Sequence, residues 1–329
     1  MTKAALFRSI GDPDVIEIED ISVGRPGAGE MLVRTEAVGL NRGESIFRQG
    51  KYAINPVPPC WIGGEGVAIV EALGEGVSGF SAGDRVCVLP TFRPGQYGLA
   101  AERAIMPAAS MIRSLDGMDP VAAAALWVSY TTAYAMVEFA GLGAGDFVII
   151  SAASSSVGTA AIQIARAVGA IPIATTRRSD KAASLMEVGA EHVIATQEAD
   201  LVAEVMRITG GRGARVAFDA IVGPFMGTLA DAMADEGVIV VYGDLSGEPT
   251  PYPAWPACGK GLRIHGFVAP RHIWGKAERF ERARKFIEAG VAEGTLRPII
   301  ARTFPLDQIV EAHRYLESNV QVGKVVLTI

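Results

Sequence analysis

The sequence predicts an α/β protein in which a turn-rich β region is joined to a doubly wound parallel sheet, and three observations carry that expectation. Residues Phe147–Lys181 read as one βαβ unit: an apolar run, a stretch of small residues, a helical stripe and a second apolar run. From Phe147 onward strand-like and helix-like segments alternate, the pattern of a parallel sheet covered on both faces. The first ~120 residues instead carry short β-rich runs between turn-forming clusters.

In chain order, residues 1–22 alternate as strands do, and Lys3–Phe7, Glu30–Ala37, Gly66–Leu73 and Arg85–Val88 are candidate strands. Arg25-Pro26-Gly27, Gly74-Glu75-Gly76 and Ala82-Gly83-Asp84 separate them as turns. Pro56-Val57-Pro58-Pro59 imposes an extended stretch, because each proline restricts itself and its predecessor. Asp119–Ala125 and Thr131–Phe139 read as helices, with Asp119-Pro120 supplying a start. Six strands follow: Phe147–Ser151, Ile171–Thr176, His192–Ala195, Ala214–Ile221, Gly237–Tyr242 and Leu262–Val268. Helices are expected near Lys181–Val188, Asp200–Thr209, Met226–Met233 and Ala277–Ala289. After Gly290 the pattern changes to a strand at Thr295–Phe304, a helix at Leu306–Ser318 and a strand at Lys324–Ile329. This tail is too short to fold alone and is expected to complete the first β region. The expected division is therefore 1–123 with 269–329, and 124–268.

Composition bounds the function. The 329 residues are 50% hydrophobic, enough for two domains with real cores at ~100–200 residues each. A net charge of −6 argues against a general nucleic-acid surface. No apolar run reaches the ~18 residues of a membrane span, and the N-terminal residues lack a basic-then-apolar leader. Cys60, Cys87 and Cys258 are far apart and odd in number, so a disulfide framework is not expected and a reducing cytoplasm is the simplest compartment. The four histidines, His192, His265, His272 and His313, show no metal-ligand spacing, and no Cys-x-x-Cys is present. No metal is expected.

The chemistry is concentrated in the βαβ unit. Val157, Ala160, Ala161, Ile164, Ala165 and Val168 form one helix face. The turn Ala153–Gly158 precedes it at the place of a phosphate-binding turn. Ala153 and Ser155 stand for two of the fingerprint's three glycines, leaving Gly158, and small residues there still let a pyrophosphate approach the helix N-terminus. Taken alone, the turn is also compatible with an ordinary strand–helix junction, and the pair Arg177-Arg178 with a solvated surface. The two arginines lie about 20 residues after Gly158, where an NAD-binding unit places an acidic residue on the ribose. Two guanidiniums followed by Lys181 suit a 2′-phosphate instead, so the expected cofactor is NADPH.

Further motifs run the length of the chain: Gly39-Leu40-Asn41, Arg48-Gln49-Gly50-Lys51-Tyr52, Gly74-Glu75-Gly76-Val77, Ala82-Gly83-Asp84-Arg85-Val86, Thr131-Thr132-Ala133-Tyr134, Phe218-Asp219, Tyr242-Gly243 and Gly323-Lys324-Val325. Together with Ala153–Gly158 they make the chain resemble the zinc-free quinone oxidoreductases of the medium-chain dehydrogenase/reductase superfamily. The resemblance implies a GroES-like β domain in two chain segments with a Rossmann domain inserted. Zinc-dependent relatives have cysteine where this chain has Asn41, histidine where it has Gly64, and a four-cysteine lobe where it has Pro90–Gly98. Without a Lewis acid to polarise a carbonyl, the resemblance implies hydride transfer to an acceptor that is already electrophilic: a quinone, or the activated C=C of an enone or enal.

The resemblance also assigns residues. Tyr52 is the expected proton donor or substrate-orienting hydroxyl, with packing under the proline-rich loop as its structural reading. Asn41 is expected to hydrogen-bond the nicotinamide ribose or the substrate oxygen, or else to serve as a turn residue. Thr131 is expected at the nicotinamide, and Ser155, Ser156, Val157 and Gly158 at the pyrophosphate. Arg177, Arg178 and Lys181 are expected at the 2′-phosphate, Tyr242-Gly243 beside the cofactor at a strand end, and Lys324 near the cofactor phosphates or in solvent. Thr196 stands where many relatives complete the adenosine site with tyrosine. Phe47, Trp127, Trp255 and Phe267 are candidates for an apolar substrate wall or for core, and Cys60 reads as a buried small residue. Leu262–Val268 would be a sheet edge, which in the family joins two subunits, so a homodimer is expected. Two other functions stay open: a 2-enoyl-thioester reductase, for which Arg42, Arg48 and Lys51 would supply a basic mouth, and a non-catalytic NADPH-binding protein, since some relatives serve lens or RNA-binding roles.

Overall fold

Six parallel strands build the sheet that the alternation predicts. Their spatial order is His192–Ala195, Ile171–Thr176, Phe147–Ile150, Ala214–Asp219, Met233–Val241 and Arg263–Gly266. Counted along the chain that is 3-2-1-4-5-6, the order of a doubly wound sheet whose direction of winding reverses beside its first strand. The strands are apolar on both faces because helices cover both: Val148, Ile149, Ile150, Ile173, Ala174, Val216, Ala217, Phe218 and Ile239 carry essentially no exposed surface. Helix Ser156–Ala167 presents its predicted stripe inward, burying Ala160, Ala161, Ile164 and Ala165.

The computed structural model describes residues 1–329, and its contacts divide them into two units: 1–128 with 300–329, and 129–299. Residues 269–299 therefore belong with the parallel sheet, not with the first β region as the sequence led us to expect. Helix Ala277–Ala292 is the reason. It buries Ala283 and Ile287, sets Phe286 against Tyr134 at 5.4 Å between ring centroids, and brings Arg282 to Glu138 at 2.5 Å. Buried Gln163 then clips the following segment: its Oε1 accepts from the Tyr130 hydroxyl at 2.7 Å and from Arg297 N–H at 2.8 Å, while its Nε2 donates to Arg297 O at 2.9 Å. Gly290 falls two residues before the end of this helix, and the unit changes only at 300.

In the first unit, Glu30–Gly39 is the central strand. It pairs antiparallel with Gly66–Leu73, with Arg103–Pro107 and with the last strand, Lys324–Thr328. Ile300–Pro305 lies parallel to Lys324–Thr328, and Arg85–Val88 and Met111–Arg113 extend the sheet on the other side. A smaller sheet has the order Ile16–Ile21, Thr2–Phe7, Cys60–Trp61. The returning segment does complete the β region, as expected: Phe304, Ile309, Ala312, Leu316, Val325 and Leu327 share one core with Met31, Val33, Val38 and Val70. No helix of the chain is long and apolar enough to cross a membrane.

Candidate functional site

The phosphate turn is shaped by one glycine and one serine. Ser155 caps helix Ser156–Ala167, its Oγ accepting from Gly158 N–H at 3.0 Å. A Cβ on Gly158 would stand 2.5 Å from Ala153 O and 2.6 Å from Ala153 C and Cα. The helix thus sits against the turn at a distance only glycine permits, which is the packing role of the fingerprint's third glycine. Ala152 takes a left-handed conformation, with φ 47°, to bring the chain out of the first strand. Under the turn, buried Asp219 accepts from the Ser151 hydroxyl at 2.5 Å and from the N–H groups of Ile221 and Val222, tying the first and fourth strand ends together.

The basic residues stand where the interval predicts. Arg177 and Arg178 follow the second strand, are exposed, and neither guanidinium makes a hydrogen bond or ion pair within the chain. Lys181 is half-buried and donates to Ser154 Oγ at 3.1 Å. Its burial lowers its pKa, a cost that an anion would relieve. Tyr242 lies with its ring stacked on Phe218 at 4.0 Å and 17°. Its buried hydroxyl faces the Ser155 side chain without a full hydrogen bond, and burial, with buried Asp219 nearby, raises its pKa. Gly243 follows, backed by Ala220. Ser155, Ser156 and Val157 are partly open at the helix start. Thr131 carries no exposed surface, and its hydroxyl accepts from Trp274 Nε1 at 3.0 Å.

Asn41 and Lys324 belong to the first unit and meet there. Asn41 caps helix Arg42–Arg48, where Glu44 turns back to accept Asn41 N–H at 3.2 Å. The other Glu44 oxygen accepts from Gly63 and Gly64 N–H at 3.1 and 2.8 Å. Lys324, with a side chain 1% exposed, pairs with Glu65, 2% exposed, at 2.5 Å and donates to Asn41 Oδ1 at 2.8 Å. Lys324 is not in solvent: its ammonium is the cation of a buried ion pair. Glu65 also accepts from Asn41 Nδ2 and from Val128 N–H at 2.7 Å. This pairing, across 259 residues of chain, had no signal in the sequence; the Asn41-x-x-Glu44 capping box did.

Tyr52 stays open. It is 38% exposed, makes an edge contact with Phe47 at 6.4 Å, and its hydroxyl has no partner in the chain. Of the proposed apolar wall, Phe47, Trp127 and Phe267 are core, whereas Trp255 is 88% exposed. Cys60 is buried against Gly95, as its small-residue reading expects. The basic mouth is not assembled either. Arg48 is buried, paired with Glu317 and donating to Gly11 O, while Arg42 donates to Leu316 O and Asn319 Oδ1 at the end of helix Ile309–Ser318. Nowhere do three or more His, Cys, Asp or Glu side chains gather so as to hold a metal ion. Around Asn41 and Glu65 the donor set does not fit zinc: Gly64 offers no side chain, and the Lys324 ammonium engages both neighbouring oxygens.

Two family models match: residues 27–116 as an alcohol dehydrogenase GroES-like domain, and residues 156–289 as a zinc-binding dehydrogenase. The 2-haloacrylate reductase of a Burkholderia species is 30% identical over 99% of both chains. The solved quinone oxidoreductase of Pseudomonas syringae covers all of both chains at 27% identity with a TM-score of 0.91. That of Escherichia coli, solved with NADPH, gives 27% and 0.90 over the same extent. The chain belongs to the medium-chain dehydrogenase/reductase superfamily, on its quinone oxidoreductase-like side. It is an oxidoreductase of the zinc-independent type that uses a nicotinamide cofactor.

Proposed function

We propose that the chain is an NADPH-dependent reductase of small electrophilic acceptors, quinones or the activated C=C bonds of enones and enals. The observation that carries this reading is the pair of unpartnered guanidiniums at Arg177 and Arg178, with Lys181 anchored to Ser154 beside them. A 2′-phosphate is the ligand group that gives these cations partners, through charge-assisted hydrogen bonds. The Ser155–Gly158 turn offers backbone N–H groups to the pyrophosphate, and the buried Tyr242 hydroxyl and Gly243 border the same end of the sheet. When bound, NADPH supplies the hydride that reduces the acceptor by two electrons. Tyr52, the open hydroxyl of the first unit, orients the acceptor oxygen and delivers the proton that completes the reduction. Asn41 is the second polar group, and Lys324 acts through it.

Two measurements test this. Oxidation of NADPH is followed with a panel of 1,4-benzoquinones, enones, enals, 2-haloacrylate and crotonyl thioesters, and again with NADH. Turnover of quinone or enone with preference for NADPH is expected. Tight NADPH binding with no turnover on any acceptor would replace the reading with that of a binding protein. Tyr52→Phe is expected to lower kcat about 100-fold or more, the usual worth of a positioned acid, with little change in KM for NADPH. The 2-enoyl-thioester alternative is the weaker one, since Arg42 and Arg48 are engaged within their own unit.

The same proposal includes a homodimer through the edge Leu262–Val268. Strand Arg263–Gly266 pairs on one side only, and Ile264 and Val268 are exposed along it. Sedimentation at micromolar concentration is expected to give a dimer, and a monomer alone ends this part of the proposal. Two buried free cysteines and one exposed one suit a reducing compartment, which we take to be the cytoplasm.

A further inference from the structure

We infer that Lys324 and Glu65 are positioning residues that lock the Asn41 amide into one orientation, in which it accepts a hydrogen bond from a ligand hydroxyl and cannot donate one. The inference rests on the reading of this chain as an NADPH-dependent reductase and fixes the direction of the hydrogen bond that Asn41 can make. A lysine ammonium can only donate. The Asn41 atom 2.8 Å from Lys324 Nζ is therefore the amide oxygen, and the usual ambiguity between the two ends of an amide is removed. The nitrogen then points the other way, where Nδ2 donates one hydrogen to Gly39 O at 3.2 Å and the other to Glu65 Oε2 at 3.1 Å. Both hydrogens are used. Glu44 N–H, which the Asn41 side chain faces at the helix start, bonds the Asn41 backbone carbonyl at 3.0 Å and makes no side-chain cap hydrogen bond. One lone pair is therefore left on Oδ1, and Asn41 is half-buried rather than closed.

The lock is itself held. Glu65 accepts from Lys324 at 2.5 Å, and its second oxygen accepts from Val128 N–H, so its carboxylate has one setting. The lysine reaches Glu65 beside Gly39, where a Cβ would stand 2.7 Å from Lys324 Cε and 2.1 Å from Ala124 O. The central strand thus carries glycine at the one point where the lysine stem and the Ala124 carbonyl both come close. An amide that only accepts cannot stabilise negative charge developing on a reacting oxygen, which needs a donor. That duty falls to Tyr52. The partner Asn41 takes is a hydroxyl: a ribose hydroxyl of the cofactor, or the hydroxyl of a reduced quinone product.

Three arms test the inference on the full-length protein. The first needs no ligand: in the free protein the Asn41 side-chain amide protons are expected to exchange slowly by ¹⁵N NMR, with Lys324→Met releasing them and Lys324→Arg restoring part of the protection. Rapid exchange in the unaltered chain overturns the inference. The second arm compares binding of NADPH with that of its analogue lacking the 2′-hydroxyl of the nicotinamide ribose. The third compares a hydroquinone with its dimethyl ether as inhibitors. One arm is expected to show about threefold to tenfold preference for the hydroxyl, the worth of one net hydrogen bond, and that arm names the source. The preference is expected to vanish in Asn41→Ala and in folded Lys324→Met and to return partly in Lys324→Arg. A preference that survives Asn41→Ala overturns the inference and leaves the reductase reading standing. Failure of the unaltered chain to bind NADPH overturns both.

Discussion

Two pairs of arginines, Arg42 with Arg48 and Arg177 with Arg178, have the same chemistry and opposite fates. Arg48 is buried with a carboxylate and a carbonyl on its guanidinium, and Arg42 closes the end of a helix. Arg177 and Arg178 stand in solvent after a strand, and neither guanidinium makes a hydrogen bond or ion pair. The first pair fastens helix Arg42–Arg48 to helix Ile309–Ser318, joining the two chain segments of the first unit. The second pair's guanidiniums fasten nothing in their own unit; the Arg178 charge is only felt at a distance, by Glu198. A charge satisfied by its own chain is part of the fold, whereas a charge left open at the end of a parallel strand is available to a ligand. What separates the two cases is partnership, not residue type.

The contrast can be broken in order of expected effect. Arg48→Met leaves Glu317 without its buried partner and is expected to cost about 3–5 kcal/mol of stability, read by denaturant unfolding, while the affinity of the folded protein for NADPH stays put. An affinity change of similar size would mean that Arg48 serves a ligand after all. The double change Arg177→Ala with Arg178→Ala is expected to do the reverse. NADPH binding should weaken about 100-fold, since hydrogen bonds to charged groups are each worth roughly 1.5–3 kcal/mol. NADH binding and stability should hardly move, and isothermal titration distinguishes these outcomes. Gly158→Ala sits between the two. Its methyl group meets the Ala153 backbone and should cost about 1–3 kcal/mol by overpacking, weakening both dinucleotides alike.

The smallest effect per step is a pH dependence beside Arg48. His313 is buried with neither ring nitrogen hydrogen-bonded, and burial, then the nearby Arg48 charge, lowers its pKa to about 3. The folded state therefore keeps this imidazole neutral over a range where the unfolded chain, titrating near 6.5, takes up a proton. Below about pH 6.5 the unfolded state binds more protons than the folded one, so stability falls as pH falls toward 3, by at most about 1.4 kcal/mol per pH unit. His313→Leu should flatten that slope, as thermal unfolding between pH 6.5 and 4 would reveal. An unchanged slope would assign the acid loss to carboxylates instead.

The parallel sheet was readable because its strands are continuous apolar runs broken by turn residues: Ile171–Thr176 and His192–Ala195 occur at the predicted residues. Strands Cys60–Trp61 and Met111–Arg113 escaped because two or three residues make no period. Helix Thr131–Phe139 is in fact two, Trp127–Ala133 and Ala135–Ala140, with a break at Tyr134 that no proline or glycine announces. Helix Ala254–Lys260 was hidden by Pro256 and Gly259 within it. Arg177, Arg178 and Lys181 were singled out by their interval from Gly158, a distance that the βαβ geometry itself fixes. Glu65 and Lys324 were invisible as a pair, because their meeting depends on a strand that returns from the far end of the chain. The contact of Thr131 with Trp274 escaped for a related reason: the two are 143 residues apart.

The first unit is assembled from both ends of the described chain, and this bears on how the protein is born. The central strand Glu30–Gly39 waits for Lys324–Thr328, and residues 129–299 must leave the ribosome in between. At bacterial or eukaryotic translation rates that delay is on the order of fifteen to sixty seconds. Throughout it Glu65 lacks the ammonium that neutralises it, and the Ala37–Gly39 end of the central strand has one edge without a neighbour. The parallel-sheet unit, contiguous in the chain, can close first. A nascent-chain arrest series should therefore show protease resistance appearing in residues 129–299 well before it appears in residues 1–128.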